Sequence, residues 1–275
     1  PATMVVAAPK ANLRQSSSAK SKIIAVLSRG DGAEPSLASG DFVQVKLADG
    51  RSGWISKSLL ISRQEAGRLS ALSAENYIAS RPNYLEDFYK NSTMKDGPTF
   101  LVILDAVAAR SPKLDEYMRW LETSKQPGPP NADPAAAIWY GMESRAAASA
   151  GHHAQSLAAA RAAVAADVSD ADNLAALGFA IVRSNDFSAM ETLPLLLLQS
   201  PGSTNTWVII GSWAAYRGRD DLASAALDIA FKRSQNPKTT RAFLEMLAGQ
   251  TSNPIVALAL RAAAQRNSTD RAQNG

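Results

Sequence analysis

The chain of 275 residues contains no cysteine and only two histidines. Without thiols it can form no disulfide, no thiolate nucleophile and no Cys-ligated zinc site. His152 and His153 are adjacent, and neighbours on a helix do not face one another, so they do not make the paired ligands of an H-E-x-x-H zinc site. No G-x-S-x-G elbow, G-x-G-x-x-G turn or Walker loop occurs, which leaves serine hydrolysis and nucleotide binding without support. Aromatic residues make up 7%, and the basic residues are not interleaved with an aromatic stripe, which argues against nucleic acid. No apolar run approaches the roughly 18 residues of a membrane span. The longest, Phe100–Ala109 and Trp207–Ala215, fit core helices. Asp167, Asp170 and Asp172 imitate part of a calcium loop but lack its Gly and terminal Glu, so a turn with a helix cap explains them better. The expectation is a non-enzyme with no catalytic residue, no metal and no cofactor.

What is present is enough apolar material for a proper core: 46% hydrophobic against 20% charged residues. Alanine is abundant from Ala135 onward, which favours closely stacked helices. Charge is placed unevenly. Residues 1–61 hold eight Lys and Arg against four Asp and Glu, so this segment alone carries the formal surplus of +4. The remainder is balanced. The basicity belongs to the first domain, which is thereby suited to an anionic partner.

Short β-type runs fill the first sixty residues: Thr3–Ala7, Ile23–Leu27, Phe42–Leu47 and Gly53–Ile55. Phe42 to Leu47 alternates apolar and polar residues, as a strand with one buried face does. Ala48-Asp49-Gly50 signals a tight turn into the partner strand. About five short strands in this length predict a small barrel. The segment resembles the bacterial SH3-like family. Asn12-Leu13-Arg14 with the following serine-rich loop is similar to the family's N-V-R opening. Ile23–Leu27 followed by Arg29-Gly30-Asp31 is similar to its second strand and turn. Gly40-Asp41-Phe42-Val43-Gln44-Val45 answers G-x-W-x-x-V with Phe for Trp, Gly53-Trp54-Ile55 answers G-W-V, and Ser58-Leu59-Leu60 answers the closing S-Y-L. The loop Gln15–Ser18 departs from the pattern in lacking Gly and Pro. The resemblance implies an extracytoplasmic (periplasmic) location and contact with peptidoglycan or a neighbouring domain, and the start at Pro1 rather than Met leads to the expectation of a leader removed from or left out of this sequence. A wall- or anion-binding patch would then comprise Arg14, Lys20, Lys22, Lys46, Arg51, Phe42 and Trp54. For Phe42 and Trp54 barrel core is the alternative, and for the cations a solvated face.

Beyond the barrel, residues 62–127 read as a helical connector or degenerate repeats: Ser62–Ala79, Tyr84–Lys90, Phe100–Arg110 and Leu114–Ser124, punctuated by Pro82, Asp96-Gly97-Pro98 and Ser111-Pro112. Gln126–Asn131 is a strong loop, and Asp133-Pro134 supplies a helix cap and first position.

Residues 128–267 carry a pattern that returns every 33 or 34 positions. Leu174–Ile181 and Trp207–Ala214 each place a large apolar residue three before Leu or Ile and then Gly, at Gly178 and Gly211. The period and spacing resemble tetratricopeptide (TPR) repeats. Taking Ala137, Ala171 and Thr204 as first positions gives three copies, with Tyr140, Leu174 and Trp207 at the large apolar position. Met190 and Pro194 depart from the second copy, and Pro194 predicts a kink or late start. Thr239–Ala248 and Pro254–Gln265 form an irregular fourth pair suited to a cap, and residues 268–275 a frayed tail.

By position, the TPR resemblance implies a partner-binding concave face of Arg145, Ser149, Phe179, Arg183, Ser212, Tyr216 and Met246. Inter-repeat packing is the alternative for Phe179 and Tyr216. Gly141, Arg145, Ala175 and Phe179 do not make the carboxylate clamp of chaperone-binding members. The fold class expected is thus an all-β SH3-like barrel, residues 1–61, followed by an all-α TPR-type solenoid. The function expected is a scaffold: the barrel on cell wall or an envelope protein, the helical groove on a protein partner. An immunity or inhibitor protein acting on a toxin or wall hydrolase is the alternative, and the regulatory part of a wall enzyme a third.

Overall fold

A computed structural model describes residues 3–84, 105, 106, 109, 114–123, 131–187 and 198–269. Contacts divide the chain into two compact units: Pro1–Pro82 with Asn131–Asp167, and Asn83–Pro130 with Val168–Gly275. Of the expected helices, Tyr84–Lys90 beyond Tyr84 and most of Phe100–Arg110 lie outside the described residues, as do Met190, Pro194 and the last residues of the tail.

Seven antiparallel strands open the first unit: β1 Met4–Val6, β2 Lys10–Arg14, β3 Ile23–Ser28, β4 Gly32–Ser39, β5 Phe42–Lys46, β6 Ser52–Ser56 and β7 Leu60–Ser62. Their order is β3-β2-β6-β5-β4-β1-β7. An all-β domain therefore precedes the helices, as the sequence predicts, but with more strands than the alternation reveals. The strand hardest to read is β4, the longest. It contains Pro35, its register shifts between Pro35 and Ala38, and from Glu34 on its side chains are exposed, so no period-two pattern marks it. The strands that do alternate bury the expected side chains. Leu13, Val45 and Ile55 have no exposed surface and close the core with Val6 and Ala33. The turn at 48–50 forms as expected, with Gly50 at φ 87° and its amide donating to the Leu47 carbonyl at 3.0 Å.

The helices are α1 Arg63–Ser70, α2 Ala74–Ala79, α3 Leu114–Thr123, α4 Pro134–Ser149, α5 His153–Ala166, α6 Ala171–Ser184, α7 Thr204–Tyr216, α8 Asp220–Arg233, α9 Pro237–Gln250 and α10 Pro254–Thr269. The single helix expected over 62–79 is two, because each half has its own cap. Ser62 accepts from the Glu65 amide at 3.1 Å, and Ser73 accepts from the Asn76 amide at 3.2 Å.

In the first unit α4 packs along α5, α2 lies against α5, and α1 touches β1 and β7, so helices cover one end of the sheet. Asp133 caps α4 as its position before Pro134 predicts, accepting from the Ala136 amide at 3.1 Å. It also accepts from Arg68 at 2.7 Å and from the Tyr77 hydroxyl at 3.2 Å, which fastens α1 and α2 to the start of the hairpin. Burial pushes the Asp133 carboxyl up, but the Ala136 amide and the Arg68 guanidinium outweigh it and hold it below the ordinary value. Tyr140 is fully buried with its hydroxyl donating to the Leu72 carbonyl at 3.0 Å, and burial raises it to about 12.

The second unit contains the clearest copies of the repeated pattern. Trp207 is fully buried, and its indole N–H donates to the Pro201 carbonyl at 2.7 Å, so the polar edge of the ring is satisfied. The two glycines are needed for close approach. A Cβ on Gly178 would stand 2.6 Å from Ile209 Cδ1, and one on Gly211 2.7 Å from Leu227 Cγ. The equivalent residue in the preceding copy is Ser144. Its hydroxyl and that of Ser156 each donate to the other's carbonyl at 3.0 Å, so two small polar residues close that helix pair.

The first helix ends with a recurring geometry in three of the four pairs, α9 being the exception. Gly151, Asn185 and Gly218 all have positive φ, at 77°, 57° and 71°. The next amide reaches back to the carbonyl five residues earlier: His152 to Ala147 at 2.9 Å, Asp186 to Ile181 at 3.2 Å, Arg219 to Ala214 at 2.9 Å. This is the Schellman closure of a helix. Its three occurrences are spaced as the sequence repeat is.

Candidate functional site

On the barrel, alternation decides which side chains are available. Along β6, Gly53 and Ile55 point into the core, so Trp54 points out. Along β5, Val45 is buried and Phe42, Gln44 and Lys46 fall on the other face. Phe42 and Trp54 are both half-buried, outside the barrel core, and the core alternative for them does not hold. Pairing aligns four strands at this level: Gln44 opposite Trp54, Trp54 opposite Arg14, and Arg14 opposite Ile23. Directly opposed side chains on one sheet face lie close enough to touch a common ligand. The result is an indole between a guanidinium and an amide, with Phe42 two residues from Gln44.

The cations expected there are not equally free. The Arg14 guanidinium donates to the Ser21 carbonyl at 2.8 Å, which holds it across the β2–β3 loop. Arg51 is bound to Asp49 at 2.6 Å at the turn, an exposed pair in which the Asp49 carboxylate holds the guanidinium above its ordinary pKa and is itself held below. Lys20, Lys22 and Lys46 are exposed. On the strands this face presents Trp54, Gln44, Arg14, Phe42 and Lys46, Lys20 and Lys22 lie in the β2–β3 loop, and Arg51 is spoken for by its own turn.

The seven residues expected on a helical concave face are distributed differently. Arg145 and Ser149 belong to the first unit, where both are exposed on α4. The other five belong to the second. Ser212 has no exposed surface and donates to the Val208 carbonyl at 2.8 Å, so it offers nothing to a partner. Phe179 and Arg183 are covered by α9 of the same chain. Phe243 meets the Phe179 ring edge-on at 4.9 Å, and Arg183 donates to Gln250 Oε1 at 2.7 Å. Burial lowers the pKa of Arg183. Asn253, in the turn after α9, adds a bond to Asn185 at 3.1 Å. The packing alternative holds for Phe179. Tyr216 stacks on Phe187 at 4.4 Å but remains 42% exposed, and Met246 is 45% exposed. Those two are the accessible remainder of the expected groove in this unit.

A further constellation was not legible in the sequence. Arg29, just beyond β3, lies with its guanidinium carbon 3.7 Å from the centre of the Trp139 ring and 3.5 Å (Nη2 to Oε1) from Glu143. It ties the barrel to α4. Burial lowers the Arg29 pKa against the pull of Glu143 and raises that of Glu143 against the pull of Arg29. Beside it opens a cleft of about 630 Å³, lined also by Leu69, Leu72, Glu75 and Gln155. A sequence shows Arg29 only as a turn residue, since Trp139 lies more than a hundred positions away.

Among the described residues no group of three or more His, Asp and Glu converges to hold a metal, and no helix is long and apolar enough to cross a membrane. Residues 9–61 match the family model of the bacterial SH3 domain, the stretch that includes β2 to β6. No curated protein and no solved structure matches the chain.

Proposed function

We propose that this chain is a non-catalytic binding protein of the bacterial envelope, periplasmic in location, whose barrel contacts the cell wall or an anionic envelope partner through the face around Trp54. Its helical part, read as a TPR-type array, serves as a scaffold for a protein partner. The observation that carries the barrel reading is the exclusion of Trp54 from the core. Tryptophan and arginine are the residues that most often dominate binding energy where they lie together on a surface. Here the indole sits in register with Arg14 and Gln44, and Lys46, Lys20 and Lys22 are exposed on the same domain. Such a face suits a polymer that offers carboxylates and sugar rings, since the guanidinium takes the former and the indole stacks on the latter. The TPR reading is supported by the repeated Schellman closures at Gly151, Asn185 and Gly218 and by the close-approach glycines.

The test is co-sedimentation of the whole chain with purified sacculi. The wild-type chain is expected to pellet with them and Trp54→Ala to lose at least about tenfold in affinity, which is about 1.4 kcal/mol, with its circular dichroism unchanged. A wild-type chain that stays in the supernatant would remove the wall from the proposal and leave protein docking. Recovery of the chain from the periplasmic fraction of its native cells tests location, and cytoplasmic recovery contradicts it.

A further inference from the structure

The strand β3 ends the sheet. Among the described residues it pairs with β2 alone, so the backbone amides and carbonyls on its other side, every second residue, have no strand to bond. Natural edge strands are commonly blunted by a charge, a proline or shortness. At six residues β3 is among the longer strands here, and from Ile23 to Ser28 it carries neither charge nor proline. Its side chains are open as well: Ile23 is 46% exposed, Ile24 41% and Val26 58%. The register with β2 shifts at Ile24, which has no partner, so the regular part of this edge is Ala25 to Ser28, and with the three large apolar side chains beside it this edge offers a template for an added strand.

Charge selects the occupant. From the start of the chain to Gly30 there is no Asp or Glu, while Lys10, Arg14, Lys20, Lys22 and Arg29 all fall on β2, β3 or the turns beside them. Lys10, Lys20 and Lys22 are exposed. A second copy pairing β3 to β3 would bring together two edges with exposed Lys20 and Lys22 at one end, while at the other end Arg29 is paired with Glu143 and Asp31 accepts from the Ser28 amide, so the unpaired charge beside β3 is that of the lysines. That charge favours an acidic strand. We infer that β3 is a docking edge for an extended, acidic segment of a protein partner, added as a further antiparallel or parallel strand, with its apolar side chains on Ile24 and Val26 and its carboxylates toward Lys20 and Lys22. This site shares Lys20 and Lys22 with the proposed wall-binding patch, and Ile23 lies in register with Arg14 and Trp54, but the backbone edge itself does not use the Trp54 ring.

The probe is a capped, fluorescein-labelled peptide of about ten residues alternating valine and glutamate, titrated into the full chain. Saturable binding is expected, with hydrogen-exchange protection gained at alternate amides of β3. Replacing the peptide's glutamates with lysine should weaken binding by at least about tenfold. The double variant Ile24→Lys, Val26→Lys should do the same, while Val26→Thr, which keeps the β-branched shape, should bind. Trp54→Ala should bind as the wild type does, which separates this edge from the wall-contact reading. The inference is overturned by no saturable binding at millimolar peptide, by protection away from β3, or by equal binding of the lysine peptide. It is also overturned if β3 is already protected without peptide in a species of doubled mass, which would make a second copy the occupant.

Discussion

One tryptophan from each unit, Trp54 and Trp207, shows the contrast between them. Trp207 is enclosed on every side with its indole N–H satisfied, and it serves the fold. Trp54 sits on a strand whose neighbours on either side are buried, and so is itself turned outward. The difference lies in what fixes a side chain's direction. In a strand the period of two assigns each residue a face as soon as the register is known. In a helix the period gives only a stripe, and whether a stripe is open depends on which later helix returns to cover it.

The comparison predicts its largest effect for the buried ring. Trp207→Ala should lower stability by about 3–5 kcal/mol through the cavity left behind. Trp54→Ala should cost less than about 1 kcal/mol, in the range of surface changes. Urea unfolding followed by circular dichroism reads both, and similar midpoint shifts would erase the distinction.

The glycines sharpen it next. A Cβ at Gly53 would meet the Arg14 carbonyl oxygen at 2.8 Å, which is backbone and paired in the sheet. At Gly178 the obstacle is the Ile209 side chain, Cδ1 at 2.6 Å and the branch carbon Cγ2 at 2.8 Å, and none of the three nearest atoms is backbone. Gly53→Ala should therefore cost about 2–3 kcal/mol and Gly178→Ala about 1 kcal/mol, within the usual span for overpacking. The reverse order in unfolding experiments would show that the helices are the less forgiving unit.

A smaller effect belongs to pH. Asp133 has its pKa held below the unfolded value, so the stability it confers is present above that value and is lost as pH falls through the folded one. Glu143 has its pKa raised, so its folded state binds protons more readily than the unfolded chain. Its contribution is therefore lost as pH rises through that window. Asp133→Asn should remove about 1 kcal/mol at neutral pH and flatten the acid limb of the stability profile. Glu143→Gln should flatten the opposing slope. Parallel profiles for both variants and the wild type would show that neither carboxyl is coupled to folding.

Much of the architecture was readable from the chain. Alternation in Phe42–Leu47 and the Asp49-Gly50 turn locate the barrel, and Gly178 and Gly211 give the helical repeat its period. What escaped was anything set by distant partners. β4 has no alternation to read, because it bends through Pro35 and changes partners from β1 to β5. Ser212 occupies the sequence position of a surface residue, yet α7 packs against both α6 and α10 and leaves it no open side. Phe179 and Arg183 hold the right stripe of α6, but α9 folds onto it, and no local pattern in Pro237–Gln250 announces where that helix will lie. Arg29 likewise acquires its role only when Trp139 and Glu143 arrive beside it. On the barrel, strand register leaves fewer ways for a side chain to be covered than a helical stripe does.

The most direct test of the wall-contact reading is a footprint of bound muropeptides on the full-length chain, taken by amide and side-chain NMR shifts. The account predicts perturbations centred on the Trp54 indole and spreading to Arg14, Gln44, Phe42 and Lys46, with Trp207 and the helices silent. Perturbations confined to the helical residues, or a Trp54 signal that does not move at saturation, would contradict it.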